Sequence, residues 1–573
     1  MRKEREFIQK GFSLLEKDRF VYLFFAIFSL LLMLVPIVER SVPTGWDLSF
    51  HYNRFYETAM QIKEGNYSYF TMLYGFNSTG RIINALYGPL FAYINGLLVL
   101  ISGTWYRYFL ISSWLLYFLS SLNMYICLKK LEVKQSYNIL LSLFFAVSYP
   151  LVSWMTNQGF RTWGIIFFPL CLLPVLLYMK TGRLNKWGLA ISVGLMTQVH
   201  LLSTLFLLTI YLFVFSASWI KSSQKWVDFK LLLQSIVIFL LLTPNIWLSF
   251  LHLYTANDII PVYVNETFLT DTLNMYARTH FAPKSTVILM VLQFVLSLIW
   301  LLQKRGRRLL YLSLIYAIFL CLSTNLFPWQ LLAGKGYGIV ELIQFPHRFF
   351  DYAIVLLLIS LGLFLTAYPL PKWQKVCTCF LLAFSVLYGV GHVYLGSLRR
   401  YDNFMTRDYY IKVSVSESDF RRAVNSTDLS EFIEMTEAYM ADYLPSYEEG
   451  GVALDSATSK HYYNMYRAAV INNPQDFKIS VNKGSISYEW TSESVKKTTL
   501  PLVIYHNSQL SIDGKLYTPE QLHLSEIGMP IVESQIGKHK AVLTYQNPIW
   551  LLPSLILTLL MWCLSFYKLK NHA

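Results

Sequence analysis

Apolar segments of roughly bilayer-crossing length recur from the N-terminus to about residue 396, and one more lies near the C-terminus. The stretches between them are short and basic: "KKLEVK", "KTGRLNK", "KSSQK", "QKRGRR", "PKWQK" and the terminal "YKLKNHA". Placing each of these in the cytoplasm, as the positive-inside bias requires, predicts about twelve spans with both termini inside. The spans fall near 20–38, 105–127, 137–154, 161–179, 187–199, 203–220, 231–250, 285–303, 308–327, 349–368, 374–396 and 548–567. One apolar segment breaks the count. "NALYGPLFAYINGLLVLISG", Asn84 to Gly103, would invert most later loops if it crossed, so it reads as a re-entrant or interfacial helix interrupted early at Gly88 and Pro89. Trp187 to Ile220 is too long for one span and reads as two short ones, joined by a tight outer turn near "TQVHLLST" that holds His200.

This topology predicts a transmembrane part over 1–396 with a large first external loop at 39–104, an outer domain over 397–547, and a last span with a cytoplasmic tail over 548–573. The outer domain begins with helical spacing ("SDFRRAVNSTDLSEFIEMTEAYMADYLP"). It then alternates in short runs, "KISVNKGSISYEW", "LPLVIYH", "QLSIDGKLY" and "KAVLTY", which predict a small antiparallel sheet or sandwich.

Composition agrees with a polytopic helical membrane protein: 55% of residues are hydrophobic and 14% charged. The net charge of +14 resides in the loops between spans, which is a membrane-protein distribution and excludes a nucleic-acid stripe. The opening "MRKEREFIQKGFSLLEKDR" lacks a small-residue cleavage site and reads as a retained cytoplasmic tail. All six cysteines fall in apolar segments, so no disulfide framework is expected, and Cys377 with Cys379 lacks the partner pair of a metal site.

Candidate chemistry gathers at the outer face. In "GWDLSFHYNRFYETAMQIKEGN", Asp47, His51 and Arg54 share one helical stripe. Asp47 has the composition of an N-cap, and it is equally suited to act as a general base or to ligate a divalent ion. Arg54 is a phosphate candidate, and His51 could orient the base or bind a phosphate oxygen. Arg161 in "TNQGFRT", His200, His252, Arg278 and His280 in "YARTH", and Glu341, His347 and Arg348 in "ELIQFPHRF" converge on the same side; individually each reads as an interfacial anchor. Lys335 in "GKGYG" fits no P-loop but could meet an anion. Trp46, Tyr52, Trp105 and Trp329 fit either an interfacial belt or a platform for sugar or polyprenyl.

With these residues in view, the chain resembles the polytopic glycosyltransferases of the GT-C fold, and within them the bacterial YfhO-like membrane proteins. The resemblance rests on the Asp-bearing first loop followed by "YGPLFAYINGLLVL", on the paired short spans in "GLAISVGLMTQVHLLSTLFLL", and on "LPLVIYHNSQLSIDGKLY" with "GKHKAVLTYQNP" before a last span; "DYLP" at Asp442 also recurs there. It implies inverting transfer of a sugar from a polyprenyl-phosphate donor in the bilayer to an extracytoplasmic envelope acceptor, a glycopolymer, teichoic acid or glycolipid, with Asp47 as base. A transporter or flippase of a lipid-linked glycan, or a non-catalytic envelope scaffold, is the rival reading. Many GT-C enzymes carry a second acid where this chain has "TNQGFRTWG". That departure leaves a divalent cation, magnesium or manganese, open as cofactor and favours neutralisation of the donor phosphate by Arg54, Arg161 and Arg348.

Overall fold

In the computed structural model the described residues are 17–45, 47–157, 159–263, 265, 268, 271–273, 283–332, 335, 337–402, 415–447 and 456–572. Among them, eight helices are long and apolar enough to cross a membrane: Trp105–Lys130, Gln135–Val152, Arg161–Thr181, Leu201–Trp219, Lys284–Leu302, Arg348–Ala367, Lys372–Arg399 and Leu551–Asn571. Each coincides with one of the twelve expected spans. The fifth, expected to be short, is the helix Lys186–Val199, which breaks from the next at His200. The other three differ, and the backbone says why. The first splits at Met33 into Asp18–Leu32 and Leu34–Glu39, and the ninth is the short helix Arg308–Ser323. The seventh is two helices, Lys225–Leu242 and Pro244–Ala256, bent by 71° where Pro244 removes a backbone donor. Counting that bent pair as one span gives nine.

Leucine and phenylalanine side chains stand bare on the outer helices, with Phe294 68%, Phe380 72% and Leu559 65% exposed. Apolar faces of this extent are stable in hydrocarbon, not in water. Helix Arg348–Ala367 instead is buried along nearly all its length and forms the centre of the bundle.

The segment expected not to cross becomes a four-residue turn, Ile83–Leu86, and the helix Pro89–Ser102. At 14 residues that helix spans about 21 Å, short of a bilayer core. Gly88 makes the break: its φ of 59° is left-handed, and a side chain there would meet the Val199 carbonyl at 2.8 Å.

Three helices carry the site and are labelled α1 (Leu48–Glu64), α2 (Arg161–Thr181) and α3 (Arg348–Ala367). Although α1 is rich in polar residues, it is buried on nearly every side. Its faces explain this. Tyr52 and Phe55 pack on Trp105 and Tyr108, and Thr58 donates to the Ala92 carbonyl at 2.8 Å. Asn53, Glu57 and Gln61, four apart, form a third face that holds the loop following the helix. The Glu57 carboxylate accepts from the amides of Leu73 at 2.8 Å, Tyr74 at 2.6 Å and Gly75 at 2.8 Å, and from the Gln61 amide at 2.6 Å. Asn53 accepts from the Phe76 amide at 2.8 Å.

Among the described residues, the region before the last helix contains seven strands: β1 (Lys478–Asn482), β2 (Ser485–Ser492), β3 (Lys496–Thr499), β4 (Ser508–Ile512), β5 (Lys515–Tyr517), β6 (Ile531–Ser534) and β7 (Gly537–Tyr545). They make an antiparallel sheet in the order β1-β2-β7-β4-β5 and a separate β3-β6 ribbon. "LPLVIYH" is the exception to the expected strands. It is irregular, Pro501 lacks an amide, and its neighbours bond to loops: Leu500 to Pro530, Val503 to Thr79 and Ile504 to Gly528. Leu500, Leu502, Val503, Ile504 and Tyr505 are nonetheless fully buried. Thr79 belongs to the segment that follows α1, so this core is shared with it.

Removing the Glu57 carboxylate strands three backbone amides. Glu57→Ala should therefore cost about 3–5 kcal/mol, read as a lowered thermal midpoint of the full chain in detergent; an unchanged midpoint would refute the clamp.

Candidate functional site

Asp47 stands at the start of α1, and its backbone carbonyl accepts from the His51 amide at 3.0 Å. Its side chain makes no cap hydrogen bond, so the capping role suggested by residue type is not the one it fills. The residue as a whole is half-buried, and the atoms around its carboxylate exclude bulk water. That burial pushes its pKa up to about 6; Arg161 and Arg348 act against the shift, and Asp442 adds to it.

The two arginines open helices α2 and α3, whose N-termini already bear partial positive charge. Arg161 is held in place. Its Nε lies 3.2 Å from the buried Asp351 carboxylate, one turn into α3, and its Nη1 meets His347 Nε2 at 3.2 Å. The other ring nitrogen, Nδ1, lies 3.1 Å from the Asp271 carbonyl and must donate to it, so Nε2 accepts from the arginine. Arg348 donates from Nη1 to the Ile343 carbonyl at 3.0 Å and lies over the Phe345 ring at 4.7 Å. Its buried Nε has no hydrogen-bond partner among the described residues.

Below this group lies an aromatic and histidine cluster. Arg54 is fully buried. It donates to Asn84 at 3.0 Å and to the Tyr87 carbonyl, faces His51 Nδ1 at 3.2 Å, and lies over the rings of Tyr87 and Phe160. Its donors are thus spent on neutral acceptors in the interior, and the phosphate role expected from the shared stripe gives way to holding α1 against the 84–87 turn. His51 stacks on Phe160 at 5.0 Å, and burial beside Arg54 holds its pKa well below the usual value, so the ring is neutral. His200 caps the helix Leu201–Trp219 by accepting from the Ser203 amide at Nδ1; its Nε2 reaches the Tyr87 hydroxyl at 3.3 Å. The ring is buried in this cluster rather than displayed on an outer turn.

The remaining candidates separate. Glu341 is buried in the short helix Gly338–Ile343, and its Oε1 has no hydrogen-bond partner among the described residues. His252 packs on Phe70 and Trp550 and meets Tyr545, at the junction with the outer domain. Lys335 is exposed. Arg278, His280 and Trp46 lie outside the described residues. Tyr52 and Trp105 stack on each other at 4.8 Å in the core, and Trp329 is only 3% exposed, so none of the three offers a ring to a ligand.

Two acids were given no role in the site by sequence reasoning. Asp351 had a usable signal, being an ionisable residue in the first turn of an apolar helix. Asp442 was marked only by the recurring "DYLP", and with 395 residues of chain between them nothing local linked it to Asp47. Arg81 fixes its backbone by donating to the carbonyls of Met440 and Asp442, and Tyr443 follows in a left-handed conformation, φ 67°. Its carboxylate accepts from the Tyr463 hydroxyl at 2.7 Å.

A divalent cation would find only Asp47 and Asp442 here, facing Arg161 and Arg348, and no group of three or more potential ligands exists among the described residues. This donor set does not fit a protein-held metal. What it can do is accept a proton at Asp47 beside two guanidinium groups suited to an anion.

A raised carboxyl pKa disfavours the ionised folded state. The penalty is complete above about pH 6 and absent once the unfolded carboxyl is also protonated, below about pH 4. Asp47→Asn should therefore unfold at a higher temperature than wild type at pH 7.5 and at the same temperature near pH 4; a destabilised variant at pH 7.5 would contradict the site geometry.

No family model and no curated protein matches the chain. Among solved structures, the arabinofuranosyltransferase AftD from Mycobacteria is similar at 16% identity and a TM-score of 0.41, over 67% of this chain and 28% of that one. The chain thus spans little more than a quarter of that protein's length, and a likeness of this size fixes neither its fold nor its activity.

Proposed function

We propose that the chain is a bacterial membrane glycosyltransferase of the GT-C type, related to the YfhO-like group, that transfers a sugar from a polyprenyl-phosphate donor to an extracytoplasmic envelope acceptor: a glycopolymer, teichoic acid or glycolipid. The observation that carries this reading is Asp47, a half-buried acid with a raised pKa and no side-chain hydrogen bond among the described residues, flanked by two arginines at the ends of apolar helices. Asp47 takes the proton of the acceptor hydroxyl, whose oxygen attacks the anomeric carbon. The bond to the donor phosphate breaks with inversion, and its electron pair leaves on the polyprenyl phosphate. Arg161 and Arg348 stabilise that developing charge, and Asp351 and His347 keep Arg161 aimed. His51, Arg54 and His200 support the floor of the site. In this scheme the termini are cytoplasmic, the site faces outward, and no step passes through a metal ion.

The transporter reading calls for charges deep within the spans. Among the described residues, the buried acids of the apolar helices, Asp228 and Asp351, both lie in a first turn, which favours chemistry at a membrane face.

Asp47→Asn should lower transfer from a polyprenyl-phosphate sugar by at least about a thousandfold while the protein still purifies folded. In the cell, mass analysis of envelope glycans from a deletion strain should reveal a missing sugar that wild type restores and Asp47→Ala does not; restoration by the variant would end the assignment. The base must be ionised, so kcat/KM should fall as pH drops through about 6. The neighbouring Asp442 charge raises that midpoint, so Asp442→Asn should move the acid limb to lower pH, and an unmoved limb would disconnect the two acids.

A further inference from the structure

A second cavity lies where the helix Pro244–Ala256 ends against the outer domain. It encloses about 530 Å³ and is lined by Asp258, Tyr447, His506, Glu520 and Leu522 among others. Its frame is fixed. Ile259 bridges Pro445, the Ser446 amide donates to the Asp258 carbonyl at 2.6 Å, and the Tyr447 amide donates to the Glu526 carbonyl at 2.9 Å. The Tyr447 hydroxyl donates to the Ile504 carbonyl at 3.1 Å, which pins the ring while 39% of the residue stays exposed. Gly528 permits this fit: at φ 73°, a side chain there would stand 2.7 Å from Pro445 and 3.0 Å from the Tyr447 ring.

The chemistry of the walls narrows what could enter. The Asp258 carboxylate and the His506 imidazole make no hydrogen bond among the described residues, and both are exposed. No lysine or arginine lines the cavity and two carboxylates do, so it repels phosphate, unlike the arginine pair beside Asp47. No three-ligand metal cluster exists among the described residues. A partly exposed tyrosine in the wall, carboxylates that accept from paired hydroxyls, and an imidazole that can donate or accept together suit a neutral polyhydroxyl chain. The cavity volume is that of a small-ligand site. The same strap that forms one wall, Pro445 to Tyr447, begins three residues earlier at Asp442, the acid beside Asp47.

We infer that this cleft binds neutral sugar units of the acceptor glycan, holding the chain whose end is presented to Asp47. The inference rests on the transferase reading and is testable apart from it. Asp47→Asn protein, full-length in detergent, would be mixed with glucose, galactose and mannose hexasaccharides and observed by saturation-transfer NMR, with inorganic phosphate as control. At least one hexasaccharide should bind. Tyr447→Ala and His506→Ala should each weaken it about tenfold or more, whereas Tyr447→Phe, which keeps the ring, should bind as the parent does. With the other side chains intact, His506→Ala should raise KM for an oligosaccharide acceptor and leave kcat unchanged. Failure of every hexasaccharide to bind, or binding indifferent to both alanine substitutions, overturns the cleft assignment and leaves Asp47 untouched. Cleft binding by a wild-type protein that transfers no sugar from a polyprenyl-phosphate donor would instead overturn the transferase reading alone.

Discussion

The Glu57 carboxylate is the constraint on which the surroundings of Asp47 depend. Buried and bonded to three consecutive backbone amides and the Gln61 amide, it fastens the loop after α1 onto the helix that begins at Asp47. Burial pushes its pKa up while those four donors pull it down. The loop then carries the constraint outward. Thr79 accepts from Val503 in the outer core, and Arg81 grips the carbonyls of Met440 and Asp442. The position of Asp442 beside Asp47 is therefore set from the segment after α1, and the β-rich region is anchored to the helical part through the same few residues.

The second constraint is electrostatic and concerns where charge is left uncompensated. Placing arginine at the positive ends of α2 and α3 is locally unfavourable, and only Arg161 obtains a close acid, Asp351. Arg348 makes do with a carbonyl and an aromatic ring. The surplus positive charge lies next to a carboxylate that burial alone would leave neutral well above its ordinary range, and the two tendencies partly offset each other. A site so balanced gains from an anion arriving with a hydroxyl nearby, and that links the fold to the proposed phosphate-leaving reaction.

Much of the architecture was legible in the hydropathy pattern, since a span must be about twenty apolar residues whatever surrounds it. Eight expected spans have matching helices, and Gly88 with Pro89 marked a real break. The three mismatches arise where helix length and direction depend on a local interruption, at Met33, Thr243 and the ends of Arg308–Ser323, whereas the break at His200 falls where the pattern put it. "LPLVIYH" misled for a related reason: its apolar content reports burial, while strand pairing depends on which amides find partners, and these found loops.

The sequence by itself determined that the chain is a multi-pass helical protein with a β-rich region near its C-terminus, and that Asp47, Arg161 and Arg348 are worth attention, because hydrophobic length and unusual charge are local properties. Only the tertiary structure decided their surroundings. It turned Arg54 and His200 inward to structural work, gave Arg161 its partner Asp351, and brought Asp442 to Asp47 from the far end of the chain. Desolvation and charge proximity are sums over neighbours distant in sequence, and no local pattern records them.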